Sequence, residues 1–140
     1  MRVLLDTNVL VSAFLLRDSI PRRLVDHCLG SLDLVTSPKL IEELESVLSR
    51  PKIAARTSPL FAQGFIEAYR QTALLADEGP ALSVCRDPAD DHVLATAVAA
   101  GTALVVTGDN DLLILDPFGD VRILTPVDAL VWLSARGDIP

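Results

Sequence analysis

Histidine and cysteine are scarce. The chain has two of each, His27, His92, Cys28 and Cys85. Two unclustered cysteines make neither a disulfide framework nor a zinc site, and they suit a reduced cytoplasm. Two isolated histidines are too few for a histidine metal cluster. Long hydrophobic runs are missing as well. None approaches the roughly 20 residues that a membrane span requires. Behind Arg2, the polar Asp6 and Asn8 interrupt what would be the core of a signal peptide, so no export signal is read. Positive charge is in deficit, with 12 Lys and Arg against 19 Asp and Glu and a net charge of −7. That argues against gripping nucleic acid with a broad basic face. It leaves a nuclease open, because acids clustered around a metal supply part of the negative count and bound cations reverse the local sign.

What is present is a globular chain. Half of its 140 residues are hydrophobic, which excludes disorder and lets one domain, residues 1–140, bury a core. No repeat, low-complexity tract or linker divides it. Val3-Leu4-Leu5 is a short apolar run of the kind that forms a strand buried on both faces. Asp6 ends it, and Thr7 or Asn8 can cap a helix over about 9–16. Ser19 and Pro21 open a second helix that Gly30 ends. A strand is expected at 32–36. Ser37-Pro38 opens the clearest amphipathic helix, with Leu40, Ile41, Leu44, Val47 and Leu48 at helical spacing. Arg50-Pro51 stops it. A helix from Pro59 to about Ala76 follows, then a loop at 77–80 and a strand or extended segment at 81–85. Asp87-Pro88 starts an alanine-rich helix that ends at Gly101. A strand at 103–107 runs into Gly108-Asp109-Asn110-Asp111, with a short apolar turn or helix at 112–115. A strand at 121–124 and a helix from Thr125-Pro126 complete the chain. Strands and helices alternate, which is the pattern of a parallel sheet with helices on both faces.

The acids carry the chemistry. Asp6 and Asp109 follow strand-like runs, which places both at the C-terminal edge of the sheet, where open α/β sheets bind ligands. Each also has an ordinary use, as a helix cap or a turn residue. Asp87 and Asp90 suit an N-cap and a macrodipole partner, and Asp91 exceeds what capping needs. The helical wheel does not decide between Asp90 and Asp91, nor between Glu43 and Glu45, which lie on the two margins of their stripe. Glu42 faces away from it. Asn8 and Thr107 can orient carboxylates, or can simply begin a helix and end a strand. Carboxylates converging without histidine or cysteine suit a hard cation, Mg²⁺ or Mn²⁺, and such ions catalyse phosphodiester hydrolysis.

Four motifs in order resemble a known family. They are Leu5-Asp6-Thr7-Asn8, Ser37-Pro38-Lys39-Leu40-Ile41-Glu42-Glu43-Leu44, Cys85-Arg86-Asp87-Pro88-Ala89-Asp90-Asp91 and Thr107-Gly108-Asp109-Asn110-Asp111-Leu112. Together they resemble a PIN-domain ribonuclease, and most closely the bacterial VapC-like toxins of toxin–antitoxin systems, from Met1 to about Leu133. The resemblance implies a Rossmann-like three-layer α/β/α domain with a parallel sheet of about five strands. It implies Asp6, Glu43, Asp91 and Asp109 as catalytic acids and metal ligands, Asp111 as a further ligand, and Asn8 and Thr107 as substrate-orienting residues. It is the resemblance that selects Glu43 over Glu45 and Asp91 over Asp90. It further implies RNA as substrate, Mg²⁺ or Mn²⁺ as cofactor, a homodimer, and a small antitoxin as partner in the cytoplasm.

Two rivals share parts of this pattern. A haloacid-dehalogenase-type phosphatase also begins with an acid after the first strand, but it needs a second aspartate two residues later, where Asn8 stands. A receiver domain expects a lysine late in the chain, and none occurs after Lys52. A third reading is a non-catalytic, PIN-like module that binds a partner protein.

Overall fold

The computed structural model describes residues 1–77 and 79–140. Glu78, in the loop expected at 77–80, lies outside the described residues. The order of elements is β1 (Arg2–Leu5), α1 (Thr7–Leu15), α2 (Ile20–Ser31), β2 (Asp33–Thr36), α3 (Pro38–Leu48), α4 (Pro51–Ala54), α5 (Pro59–Thr72), β3 (Leu74–Leu75), α6 (Pro88–Ala99), β4 (Leu104–Val106), α7 (Asn110–Leu113), β5 (Arg122–Leu124) and α8 (Pro126–Ala135).

The five strands form one sheet in the order β3-β2-β1-β4-β5, and every pair is parallel. Alternation along the strands divides the core in two. Val3, Leu5, Leu34, Leu104 and Val106 point into a cluster with Leu10, Leu24, Leu44, Ala129 and Leu133. Leu4, Val105 and Ile123 point the other way, onto Val93, Leu94, Ala97 and Leu112. Side chains on a strand alternate between faces, so the continuous apolar runs of β1 and β4 are what a doubly covered parallel sheet needs. The expected three-layer α/β/α fold is therefore the observed one.

Proline and a small hydroxyl start many of the helices. Ser19, Ser37, Ser58 and Thr125 each cap one by accepting from a backbone N–H, with proline in the first turn that follows. Gly101, at φ +63°, turns the chain out of α6.

Three segments differ from expectation. Helix α5 stops at Thr72 rather than near Ala76, and Leu74–Leu75 becomes the edge strand, paired with Val35 and Thr36. No glycine or proline marks that stop, and leucine has high helix propensity, so pairing with β2 overrides the local preference. The apolar segment at 81–85 forms no regular strand. The short helix α4, behind Arg50-Pro51, was also not expected.

The topology fixes where a site can form. From β1 the chain steps outward to β3, then returns to β4 on the other side of β1. The connections after β1 and β4 leave on opposite faces, since Leu10 of α1 packs in one core cluster and Leu112 of α7 in the other. A crevice at such a reversal is the binding position of doubly wound sheets.

Candidate metal centre

Asp6 and Asp109 stand on the two sides of that crevice. Leu5 pairs with Val106, and each strand hands over to a polar residue one step later. Asp6 is buried. Its Oδ1 accepts the Thr7 backbone N–H at 2.8 Å, and its Oδ2 accepts the Thr107 hydroxyl at 2.7 Å. Thr107 is fully buried, and its Oγ1 also accepts the Asp109 backbone N–H at 3.0 Å. One hydroxyl thus ties the two strand ends together. Burial raises the pKa of Asp6, the hydrogen bonds from Thr107 and Thr7 oppose that rise, and the charges of Glu43 and Asp109 add to it.

Glu43 reaches the same place from α3. Its Oε2 accepts the hydroxyl of Thr7 at 3.1 Å. Glu45 goes elsewhere, to an exposed ion pair with Arg70 at 2.6 Å. The two margins of the α3 stripe therefore have different partners, and Glu43 is the one beside Asp6. Thr7 is a contributor that the sequence marked only as a possible cap.

The remaining acids are Asp90, Asp109 and Asp111. One carboxylate oxygen from each lies within 4.8 Å of the other two. Asp90 is buried, with 8% of its surface exposed, and its Oδ2 has no hydrogen-bond partner among the described residues. Burial, the facing carboxyl of Asp109 and the charges of Asp109, Asp87 and Asp6 push its pKa up to about 7. Two carboxylates this close repel each other, and a proton or a cation between them relieves that repulsion. Asp109 also caps α7 by accepting the Asp111 N–H at 2.9 Å. Its cap role and its place in the acidic group coexist, as they do for Asp6.

Asp91 is held differently from the other acids. The expectation placed Asp91, not Asp90, with the other acids. In the structure, Oδ1 of Asp91 accepts the backbone N–H groups of Val84 and Cys85, both at 2.9 Å. Those bonds, Cys85 first, hold its pKa below the usual value. Asp91 anchors the 84–85 segment to α6, and Asp90 turns toward Asp109. The helix gives the reason. Asp90, Val93, Leu94 and Ala97 occupy the i, i+3, i+4, i+7 stripe that packs on the sheet, and all four are buried. Val98, on the stripe that begins at Asp91, is 42% exposed. That contrast was available in the sequence, but the alanines around it left the wheel level.

The two residues expected to orient substrate part company. Thr107 orients Asp6 and Asp109, as described. Asn8 is exposed in the first turn of α1, and its side chain makes no hydrogen bond among the described residues. Arg86 was not singled out as a site residue. Its guanidinium is 3.8 Å from Asp111 and 88% exposed, which makes it a cation at the rim of an acidic site.

The donor set consists of carboxylate oxygens, which suits a hard divalent cation. A buried carboxylate oxygen without a donor, facing a second carboxylate, is what such an ion would satisfy. The group fits a hard divalent cation better than any softer metal.

A doubly wound parallel sheet with carboxylates collected at its reversal point is thus the class of protein. A model of the PIN domain matches residues 2–111, and the chain belongs to that family. PIN domains are generally metal-dependent nucleases, and the matched span contains Asp6, Glu43, Asp90, Asp91, Asp109 and Asp111. The chain is also 26% identical over 116 residues to the uncharacterized protein MJ1680 of Methanocaldococcus jannaschii, covering 81% of this chain and 74% of that one. Among the described residues no helix is long and apolar enough to cross a membrane.

Proposed function

We propose that the protein is a metal-dependent endoribonuclease that hydrolyses phosphodiester bonds of single-stranded RNA at the reversal point of its sheet. The observation that carries this reading is the group of Asp90, Asp109 and Asp111 beside the Thr107-tethered Asp6 and the Thr7-tethered Glu43. Asp90, Asp109 and Asp111 would hold the cation, with Asp6 and Glu43 at its edge. Bound there, Mg²⁺ or Mn²⁺ would supply the positive charge that lets a phosphodiester enter an acidic site, and would acidify water for attack.

The chain's own groups do the rest. Thr107 and the Thr7 N–H hold both oxygens of Asp6 in one orientation, so this carboxylate needs little reorganisation. Glu43 is exposed and, among the described residues, is held by the Thr7 hydroxyl alone. That leaves it an oxygen with which to orient water or take its proton. Arg86 is free to swing from Asp111 to a phosphate oxygen, where a guanidinium pairs in two-pronged fashion.

The test is cleavage of a labelled single-stranded RNA with Mn²⁺, with and without chelator, beside Asp6→Asn. Cleavage that needs the metal and disappears in the variant supports the proposal. Release of phosphate from small phosphoesters with RNA intact would replace it with a phosphatase. No turnover of either would leave a binding module. The motifs shared with VapC-like toxins extend the reading to a cytoplasmic homodimer restrained by a small antitoxin. Growth arrest on induction of the wild type, absent for Asp6→Asn, checks that extension.

A further inference from the structure

We infer that a basic cavity at the far end of α1 is a second holding surface for the RNA strand, with phosphates on Arg17 and Arg56 and a base stacked on Phe61. This rests on the ribonuclease reading above. The cavity is about 660 Å³, and Phe14, Arg17, Arg22, Asp26, Arg56 and Phe61 are among its lining residues. That volume suits a nucleotide-sized ligand, within the roughly 300–1,000 Å³ of ordinary ligand sites.

Its charge runs against that of the molecule. Three arginines meet one carboxylate there, in a chain of net charge −7. That carboxylate, Asp26, is engaged by Arg22 at 3.2 Å. The guanidinium groups of Arg17 and Arg56 make no ion pair or hydrogen bond among the described residues. Two exposed, unpaired arginines beside one cavity are an anion site without its anion.

The aromatic side adds a second requirement. Phe14 is packed against Phe65, with ring centroids 4.9 Å apart, and forms part of the wall. Among the described residues Phe61 has no such partner, and it is 70% exposed, in the first turn of α5. An exposed ring next to free guanidinium groups is the composition of sequence-tolerant single-strand binders, in which backbone charge and base stacking act together.

The cavity's position favours RNA over an acidic peptide. Thr7, which holds Glu43, and Phe14 are seven residues apart on α1 and so share one helix face. Their separation along the axis is about 10 Å at 1.5 Å per residue, or about three stacked nucleotides at roughly 3.4 Å each. A polyanionic substrate gains little from carboxylates and needs cations nearby. An acidic peptide would gain nothing from lying so close to the acidic group.

The test separates binding from cleavage. Fluorescence anisotropy with a labelled 12-nucleotide single-stranded RNA, in EDTA, would compare wild type, Arg17→Ala/Arg56→Ala, Phe61→Ala, the charge-keeping Arg17→Lys/Arg56→Lys, and Arg136→Ala as a control away from the cavity. The double alanine variant is expected to lose at least tenfold in affinity. Its slope of log K against log salt should shrink by about 1.4, the contribution of two single-strand phosphates. Phe61→Ala should lose roughly tenfold, as for one lost stack. The lysine variant should keep the salt slope, and Arg136→Ala should match wild type. Equal affinity in all variants overturns the inference, and if Mn²⁺-dependent cleavage is intact it leaves the nuclease reading standing. Reduced binding in the cavity variants without any cleavage keeps the inference and removes the nuclease. Unchanged RNA binding, with a dimer in sedimentation that Phe61→Ala dissolves, makes the cavity a contact between copies and also overturns it.

Discussion

The hydroxyl of Thr107 donates to Oδ2 of Asp6 at 2.7 Å, across 101 residues of sequence. The contact exists because Leu5 and Val106 are partners in the β1–β4 register. With the Thr7 N–H on the other oxygen, that hydrogen bond fixes the orientation of the acid at the edge of the proposed cation site.

Removing that donor has a predictable cost. Thr107→Val keeps the shape but leaves a buried carboxylate oxygen and the Asp109 N–H without their partner. The expected loss of stability is about 1–3 kcal/mol, the cost of an unsatisfied buried group, read from urea denaturation. RNA cleavage should fall by an order of magnitude or more, and Thr107→Ser should restore most of both.

Asp90 and Asp91 are neighbours with opposite surroundings, and their amide variants should separate cleanly. Asp90→Asn removes a carboxylate from the proposed cation site while relieving the repulsion with Asp109. It should fold as well as wild type, abolish cleavage and abolish thermal stabilisation by Mn²⁺. Asp91→Asn keeps a carbonyl oxygen for the Val84 and Cys85 N–H groups. It should retain the Mn²⁺ shift and most of the cleavage. Reversal of this pattern in a thermal melt would restore Asp91 to the site and remove Asp90.

That pair also marks how far the sequence could be read. The sheet, its helices and the edge at which Asp6 and Asp109 lie follow from apolar runs and caps, because strand burial and capping leave local traces. The partner of a side chain leaves none. Asp90 and Asp91 stand one residue, about 100°, apart on a helix whose alanines make every face passably apolar, and the choice depends on what α6 packs against. The edge strand Leu74–Leu75 was hidden for a related reason. Its residues are good helix formers, and only Val35 and Thr36 make them a strand. Nothing in the sequence sets Arg86 apart from other exposed arginines that could meet a phosphate, until Asp111 is placed beside it.

Glu43 and Glu45 offer a similar contrast on α3. Glu45 and Arg70 form an exposed pair, with 46% and 43% of their side chains accessible, so Glu45→Gln should change stability by less than about 1 kcal/mol. Its effect on cleavage should be within twofold. Glu43→Gln keeps a hydrogen-bond acceptor for Thr7 but loses the charge. It should leave the fold unchanged and reduce cleavage by at least a hundredfold under saturating RNA. Parallel single-turnover rates for the two variants decide which margin of the stripe serves the reaction.

The raised pKa of Asp90 makes stability depend on pH in a direction opposite to that of most carboxylates. Burial, and then the facing carboxyl of Asp109, raise the Asp90 pKa from 3.8 to about 7. Below both values the folded and unfolded chains hold this proton alike. Between them the folded chain keeps it and the unfolded chain has lost it, so this group's contribution falls as pH rises through that window and levels off above it. Asp91 and Asp116 have lowered values, so their contribution is lost only as pH falls below the ordinary carboxylate range and does not compete in this window. In EDTA, therefore, the wild-type melting temperature should decline between pH 5 and pH 8 more than that of Asp90→Asn. A cation must displace the Asp90 proton at pH 5 but meets an ionised Asp90 at pH 8, so Mn²⁺ should raise the melting temperature more at the higher pH. Calorimetry at the two pH values, with and without Mn²⁺, measures both differences. A wild type whose melting temperature parallels that of Asp90→Asn across the range, with and without metal, would show that Asp90 holds no such proton.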